Sequence, residues 1–441
     1  MDLVRGAPLL AFLAALAVGA SGCSLITDSF VTNEFSGDEY PILVDTSSGA
    51  LRLGLRSTGT DRSAILDVLA PLTFIDPGPT TPAAVETLSL TLLGLDAPGG
   101  AADQPRAVLV DKQVLVNHPC APSVTTCVVG PGTAPVGYDA IIGADALAGD
   151  AVRLRLGDDQ IFVLPDIGGD EVHRTRACDG VFPSPYRGGG TLLVPGGGEL
   201  SFGGRRIAIA TCLGDVPTAR FTQGYRGADT LFVMSTSIGP SMMGETAYRR
   251  YVDAYPPCTL VDPECPPIRP SLESLPTGTI NLPSGPVEGR IGTIPNLALV
   301  ASSSGTPRAA CRQVYASHFM LQRDCVTSDD CPCEDPQDRF CGAPAIVHVA
   351  PPTGIEIFIV PDSDPTLQAL RTELRPNQAE VDGILGTSVL ETIELDVDYP
   401  HNRLLARCTG DGCITRPQLT ESSDRTQTRG CLKNTPAGPV F

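Results

Sequence analysis

Two ten-residue segments of the 441-residue chain, 138–147 and 381–390, align with each other without a gap. Each contains two aliphatic residues followed by a glycine, Ile141-Ile142-Gly143 in the first and Ile384-Leu385-Gly386 in the second. A repeat at a separation of 243 residues (381 − 138) is too long for a solenoid. The duplication therefore predicts two similar lobes, each with a strand, a glycine turn, a short helix and a further strand.

The composition favours short strands over long helices. Gly (46) and Pro (41) are abundant, aromatic residues make up 5% and Trp is absent, which is typical of a chain with many turns. Apolar and polar side chains alternate in 152–156 and 395–399, after the two repeats, and this period predicts half-buried strands. Two short helices are expected at 245–254 and 366–375, the second capped by Asp364. We therefore predict an all-β, bilobal double barrel with few short helices.

Charge and cysteine content restrict the partners and cofactors. The formal net charge of −19 repels phosphate backbones, so no nucleic acid partner is expected. Of 15 Cys residues, 14 remain when Cys23 is set apart, an even number that fits a disulfide-rich protein of an oxidising compartment. Cys331, Cys333, Cys408 and Cys413 lack the second CxxC or the HxxxH that would complete a zinc site. Neither a metal nor another cofactor is predicted.

Residues 1–22 have the pattern of a secretion signal. Arg5 precedes an apolar run at 9–18, which is shorter than the ~20 residues that cross a bilayer as a mature helix. Small residues directly before Cys23 resemble a bacterial lipobox, in which this cysteine is lipidated and becomes the mature N-terminus. Within that resemblance, Ser24 implies sorting to the outer membrane of a Gram-negative bacterium. We expect a protein of the cell envelope that contacts the membrane through the lipid on Cys23; an ordinary cleaved signal is the alternative.

An apolar strand at 41–44 leads into Asp45-Thr46-Ser47-Ser48. Together with Ile141-Ile142-Gly143, this segment resembles the Asp-Thr-Gly and hydrophobic-hydrophobic-glycine motifs of the pepsin-like and retropepsin-like aspartic proteases. The resemblance covers nearly the whole mature chain and implies two lobes, each contributing one catalytic aspartate to a shared water. It would make Asp45 the first catalytic aspartate and Thr46 the residue that ties the two loops together. Ser47 replaces the glycine of the motif.

Two segments compete to be the matching loop of the second lobe. Ser235-Thr236-Ser237 follows an apolar strand and precedes the helix expected at 245–254, and we favour it. The alternative is Ala301, which follows an apolar strand at 297–300. Under either alignment the position of the second aspartate holds Ser or Ala, and the nearby Asp229 is soon followed by bulky apolar residues where a small loop is required. Efficient proteolysis is not expected, because losing one member of an acid–base pair forfeits ~10²–10⁴ in rate.

We therefore predict an envelope lipoprotein with a catalytically inactive pepsin-like fold that binds peptide or protein in the inter-lobe cleft. The alternatives are an active aspartic endopeptidase that uses Asp45 and an unidentified second carboxylate, and a purely structural envelope protein. Asp139 and Asp382, near the start of the two repeats, are expected to fix loop backbone rather than to catalyse. The expected organisation is a signal peptide (1–22), a tether (23–38), an N-terminal lobe (39–185), a connection (186–225), a C-terminal lobe with disulfide-rich insertions (226–415) and a tail (416–441).

Overall fold

The computed structural model shows a chain built mostly of β-strands, which confirms the predicted all-β class. It describes residues 40–46, 49–78, 81–95, 107–116, 138–164, 180–183, 190–194, 198–202, 206–214, 227–254, 269–282, 285–300, 346–374, 380–399, 403–409 and 412–415.

The α-helices of these ranges are short: α1 (Glu245–Asp253), α2 (Pro365–Leu374) and α3 (Thr387–Leu390). Single 3₁₀ turns occur at Leu156–Asp158 and Leu272–Ser274. The first two helices lie where the sequence predicts them. Asp364 caps α2 as expected, because its Oδ1 accepts a hydrogen bond from the Leu367 N–H at 3.0 Å.

The first lobe contains a closed barrel with the strand order β2-β3-β7-β4-β6-β5. Its strands are β2 (Arg52–Ser57), β3 (Thr60–Leu66), β4 (Phe74–Ile75), β5 (Ala84–Leu93), β6 (Ala107–Val116) and β7 (Ala140–Ile142). Alternate residues of β2 point into the barrel, where Leu53 and Leu55 are buried. The core of the barrel is therefore built from the period-two pattern of its strands.

The second lobe contains a ten-stranded sheet, ordered β16-β17-β20-β15-β21-β14-β13-β18-β19-β24. Its strands are β13 (Ala208–Gly214), β14 (Gly227–Met234), β15 (Ser241–Gly244), β16 (Thr277–Leu282), β17 (Gly285–Ile294), β18 (Asn296–Val300), β19 (Ile346–Val349), β20 (Ile355–Val360), β21 (Gly383–Leu385) and β24 (Cys413–Thr415). Helix α1 packs against β14 and β15. A separate hairpin is formed by β11 (Gly190–Val194) and β12 (Gly198–Phe202).

A six-stranded antiparallel sheet joins the two lobes, with the order β1-β9-β8-β22-β23-β10. Its strands are β1 (Tyr40–Leu43), β8 (Ala151–Arg155), β9 (Gln160–Leu164), β10 (Gly180–Pro183), β22 (Ile393–Asp398) and β23 (Arg403–Cys408). β8 follows the first repeat, β22 follows the second, and the two strands pair directly. The duplicated halves are therefore joined through equivalent parts of the repeat.

The polar face of this strand pair is buried, where the alternating pattern predicts exposure. Arg153 on β8 is completely buried and lies opposite Asp396 on β22. Its Nε donates to Asp396 Oδ1 at 2.7 Å and its Nη2 to Asp396 Oδ2 at 3.1 Å. Glu394 Oε1 lies 3.7 Å from Arg153 Nε, and Glu394 also pairs with Arg155. The prediction of half-buried strands is wrong here, because opposite charges on the two strands neutralise each other.

Disulfides are present in the described part of the chain. Cys408 and Cys413 are bonded to each other with their Cα atoms 5.3 Å apart, and Cys212 is also disulfide-bonded. Cys331 and Cys333 lie outside the described residues, as does Cys23. Within those residues, no group of His, Cys, Asp and Glu side chains is arranged to hold a metal ion, and no helix has the length and hydropathy of a membrane span.

Replacing Arg153 with Met should remove the cation that binds both oxygens of the buried Asp396 carboxylate, while Glu394 keeps its pair with Arg155. We expect the free energy of unfolding to fall by about 3–5 kcal/mol, the usual cost of breaking a buried ion pair from one side. Chemical denaturation of the purified protein measures this change. Arg56→Met is the matched control, because Arg56 pairs with Asp61 in solvent, and it should have a much smaller effect. Equal stability of the two variants would contradict the assignment.

Candidate functional site

The loop that follows β14 faces an aspartate of the first lobe. Ser235 is fully buried, and its Oγ donates to Asp67 Oδ1 at 3.1 Å. Ser237, which is partly exposed, donates from its Oγ to Asp67 Oδ2 at 2.9 Å. The two hydroxyl groups are also 3.0 Å apart. One carboxyl group from the first lobe and two hydroxyl groups from the second therefore form a single hydrogen-bonded cluster.

Asp67 and Ser235 occupy equivalent places in the two lobes. Asp67 follows β3, which runs parallel to β7, and its N–H donates to Ile142 O at 3.0 Å. Ser235 follows β14, which runs parallel to β21, and its N–H donates to Leu385 O at 2.9 Å. Each loop therefore emerges beside the aliphatic pair of its own repeat. The two hydrogen bonds place Asp67 and Ser235 at corresponding positions of the two lobes.

The glycines of the two repeats lie directly beneath these loops. Gly143 N–H donates to Thr73 Oγ1 and Gly386 N–H to Ser241 Oγ, both at 3.1 Å. A Cβ at Gly143 would lie 2.5 Å from Leu72 O, and a Cβ at Gly386 would lie 2.5 Å from a loop carbonyl oxygen of the second lobe. Any side chain here would therefore collide with loop backbone. Ile141, Ile142, Ile384 and Leu385 form the strands beside the loops.

Asp139 and Asp382 fix the backbone of the strands that carry the two loops. Asp139 Oδ2 accepts a hydrogen bond from Ser63 N–H at 3.2 Å, and Asp382 Oδ2 accepts one from Leu231 N–H at 3.0 Å. Ser63 lies four residues before Asp67, and Leu231 lies four residues before Ser235. Both acids bind backbone N–H groups as predicted, but these groups belong to strands rather than to loops.

The structure does not place Asp45 opposite Ser235, and the sequence prediction is corrected to Asp67. Asp45 exchanges two backbone hydrogen bonds with Arg52, at 3.0 and 3.1 Å. The strand before it, β1, pairs with β9 in the inter-lobe sheet. A loop of the predicted kind has to leave a strand beside β7, and β1 is not such a strand. Ser47 and the competing residue Ala301 lie outside the described residues.

Thr46 likewise does not tie the two loops together; Thr236 does. Thr46 Oγ1 donates to Asp159 Oδ1 at 2.5 Å, within the first half. Thr236 Oγ1 instead donates to Leu66 O at 2.6 Å and accepts from Val68 N–H at 3.2 Å. Its hydroxyl therefore bridges the peptide groups on both sides of Asp67.

The first-lobe loop cannot return this contact. Val68 follows Asp67 in the place that Thr236 holds after Ser235, and a valine has no hydroxyl. A search for Asp-Thr in the sequence therefore overlooks Asp67. An apolar strand at 64–66 that ends in an acid does mark Asp67, but the same pattern marks Asp45 after 41–44, so it does not choose between the two acids.

The next residue, Leu69, anchors the first-lobe loop to the second lobe. Its side chain packs against a second-lobe core cluster that includes Ile238 and Leu367. Its carbonyl oxygen accepts a hydrogen bond from Arg206 Nη1. Arg206 is itself held by Glu373 on α2, with nitrogen–oxygen distances of 2.9 and 2.6 Å. Apolar and charge-assisted contacts therefore hold this loop in place from the opposite lobe.

Asp67 is buried, with only 7% of the residue exposed, and this burial raises the pKa of its carboxyl group above the usual value. Hydrogen bonds from Leu69 N–H, Ser237 and Ser235 act in the opposite direction, as does the charge of Arg206. Among the described residues, the hydrogen-bond partners of the Asp67 carboxyl are this N–H group and the two hydroxyls. The cluster of Asp67, Ser235 and Ser237 thus contains one ionisable acid, and burial favours the neutral form of this acid relative to that of an exposed aspartate.

No family model matches the chain, and no curated protein matches it. Among solved structures, it is similar to the crystal structure of an aspartic proteinase from Irpex lacteus, with a TM-score of 0.34 and 11% identity, over 85% of this chain and 98% of that chain. It is also similar to basic 7S globulin from soybean, with a TM-score of 0.34 and 12% identity, over 84% of this chain and 95% of that chain.

Replacing Thr236 with Val should break both hydrogen bonds to the first-lobe loop while keeping the side-chain shape. We expect a loss of about 1–3 kcal/mol in the free energy of unfolding, because Leu66 O and Val68 N–H would be buried without a partner. Thr236→Ser is the matched control: it keeps the hydroxyl and should cost less. Denaturant titration of both variants checks this, and a serine variant as unstable as the valine variant would contradict the role of the hydroxyl.

Proposed function

We propose that this protein is an envelope lipoprotein with a pepsin-like double-barrel fold that does not cleave peptides and that binds peptide or protein ligands between its lobes. The observation that carries the proposal is the partner of Asp67: hydroxyl groups of Ser235 and Ser237 stand where a second carboxyl group is needed. In this proposal Asp67 is the counterpart of the first catalytic aspartate, a role that the sequence predicted for Asp45.

Aspartic proteolysis requires two carboxyl groups in different protonation states. One activates the water while the other protonates the scissile carbonyl, and the two share one proton. A serine hydroxyl does not ionise in the relevant pH range and supplies no second acid. Asp67 alone offers one proton site, so only one of the two roles can be filled. The expected loss is ~10²–10⁴ in rate, before the lost positioning of water is counted.

Ligand binding does not need the second carboxyl group. Sites between two lobes are concave and partly apolar whether or not they catalyse. Ser237 is partly exposed beside Asp67 and offers a hydroxyl to a ligand at the edge of the cluster. A peptide that reached this edge would meet hydrogen-bonding groups without a complete acid–base pair, and would be bound intact.

A purely structural protein is the second candidate, and one observation favours it. Leu69 lies two residues after Asp67, and its side chain packs on the core of the other lobe. This contact fastens the two lobes together near Asp67 and uses the loop for packing. In this alternative the lobes contain no ligand at all, and the hydrogen bonds of the cluster have only a structural purpose.

The envelope assignment is supported by the sequence alone. Small residues precede Cys23 after an apolar run at 9–18, as in a lipobox, and Ser24 favours the outer membrane. Lipidation would make the membrane a partner through the N-terminus, with the double barrel held beside it. The cleft ligand would then be a peptide or a protein of the same compartment.

Purified protein should show no pepstatin-sensitive cleavage of a mixed peptide library from acidic to neutral pH. Asp67→Asn should behave like the unchanged protein in this assay, because no acid–base pair is present to disrupt. Cleavage that Asp67→Asn abolishes would establish an active endopeptidase instead. Retention of library peptides on the immobilised protein, measured by mass spectrometry of the eluate, separates the binding protein from the structural alternative.

Ser235→Asp provides a further arm of the same assay. It introduces a second carboxyl group at the position equivalent to Asp67, so that two adjacent carboxyl groups can share one proton. Any acid peptidase activity that this variant acquires should disappear in the double variant Asp67→Asn/Ser235→Asp. Activity that survives in the double variant would come from a contaminant or from another site.

Replacing Cys23 with Ser should abolish incorporation of labelled fatty acid and release the protein from the membrane fraction of a Gram-negative host. Ser24→Asp is the matched control: it should keep the lipid and move the protein from the outer to the inner membrane. Labelling followed by sucrose-gradient separation of the membranes measures both effects. Unchanged labelling of the Cys23→Ser variant would mean an ordinary cleaved signal.

A further inference from the structure

We propose that the Asp67 cluster makes the contact between the two lobes sensitive to pH, so that the first-lobe loop at 67–69, which follows β3, is held more firmly against the loop at 235–237 as the medium becomes acidic. This inference goes beyond ligand binding and does not depend on it. It rests on the position of one acid between the two lobes and on the groups that surround it.

The cluster can accept a proton without leaving a hydrogen-bonding group unsatisfied. When Asp67 is ionised, it accepts from Ser235, from Ser237 and from Leu69 N–H, the last at 2.9 Å. When Asp67 is protonated, its O–H can donate to a serine oxygen, because hydroxyl groups both donate and accept. The network therefore persists in both states, and the difference between them is the burial of a negative charge.

The charged groups that face Asp67 do not cancel this burial. Arg206, which precedes β13, is the cation that acts on it, and Arg206 is paired with Glu373 on α2 through both of its carboxylate oxygens. The Glu373 carboxylate thus offsets part of the effect that the positive charge of Arg206 has on Asp67. The facing loop at 235–237 contributes only hydroxyl groups, and the strand β7 contributes the carbonyl oxygen of Ile142. The hydrogen bonds and Arg206 therefore offset the cost of ionising Asp67 only in part, and burial remains the largest influence on its pKa, which is raised.

The sign of the effect follows from linkage. Burial raises the pKa of Asp67 in the folded protein above that of an unfolded aspartate. The folded state then binds more protons than the unfolded state between the two pKa values, so stability rises as the pH falls through the folded pKa. The gain is complete near the unfolded pKa of about 3.9. A single group changes the opening equilibrium by at most about tenfold per pH unit in this window.

Two first-lobe amides that donate hydrogen bonds to Thr236 report this contact directly. Val68 N–H donates to Thr236 Oγ1 at 3.2 Å, and Leu51 N–H donates to Thr236 O at 2.7 Å. Both are released when the loops separate. Hydrogen exchange of the full-length protein, expressed as protection factors to remove the intrinsic pH dependence of exchange, measures the opening. Leu66 N–H, which donates to Leu51 O within the first lobe, serves as the internal reference.

We expect the protection of Val68 and Leu51 to increase as the pH is lowered from neutral towards the pKa of a free aspartate, relative to Leu66. Asp67→Asn, which is neutral at every pH, should remove this dependence and should already show high protection at neutral pH. Asp61→Asn is the control, because Asp61 is exposed and pairs with Arg56, and it should leave the dependence unchanged.

Two results would overturn the proposal. One is a pH dependence of the Val68 and Leu51 amides that is the same in the unchanged protein and in Asp67→Asn. The other is protection that falls on acidification. If Asp67→Asn folds poorly, the carboxyl resonance of Asp67 in the unchanged protein decides the matter: a midpoint at or below that of a free aspartate would contradict the mechanism. Neither outcome bears on peptidase activity or peptide retention, so the proposed function stands or falls separately.

Discussion

The hydroxyl of Thr236 is the interaction that fixes the first-lobe loop around Asp67 where it meets the second lobe. It donates to one peptide group and accepts from another, and these two groups lie on either side of Asp67. Because both partners belong to the backbone, the contact fixes the path of the first-lobe loop whatever side chains that loop carries. The Asp67 carboxyl is thereby held against Ser235 and Ser237, and the neighbouring Leu69 is directed onto the opposite core.

The two halves carry complementary groups where they meet. The first-lobe loop has an acid, Asp67, followed by Val68, which has no hydroxyl. The second-lobe loop has Ser235 in the corresponding position, followed by the bridging hydroxyl of Thr236. The carboxyl group of one loop and the hydroxyl groups of the other therefore form the contact between them.

The sequence predicted the duplicated architecture well because its evidence is local. The glycines at 143 and 386 and the alternating strands after them are short-range patterns, and the structure places them beneath equivalent loops. The helices at 245–254 and 366–375 were found for the same reason, from their apolar spacing and from the cap at Asp364. Patterns of this kind reflect steric limits that act within a few residues of the chain.

The acid of the first lobe could not be found in this way. Asp45 matches the motif by letter, but the choice between Asp45 and Asp67 depends on which strand lies beside β7, and that pairing joins residues about eighty positions apart in the sequence. The burial of Arg153 was missed for a similar reason, since its partner Asp396 lies on the other half of the chain. Both errors concern pairing between residues far apart in the sequence, and short-range sequence patterns do not encode such pairing.

The charges on the inter-lobe strands have a consequence for assembly. The charged residues that pair across these strands are cations on β8, Arg153 and Arg155, and anions on β22, Glu394 and Asp396. Two β8 strands side by side would bury like charges together, and so would two β22 strands. A duplicated fold carries an inherent risk that equivalent halves of separate molecules associate with each other. Here electrostatic repulsion between like charges opposes that error.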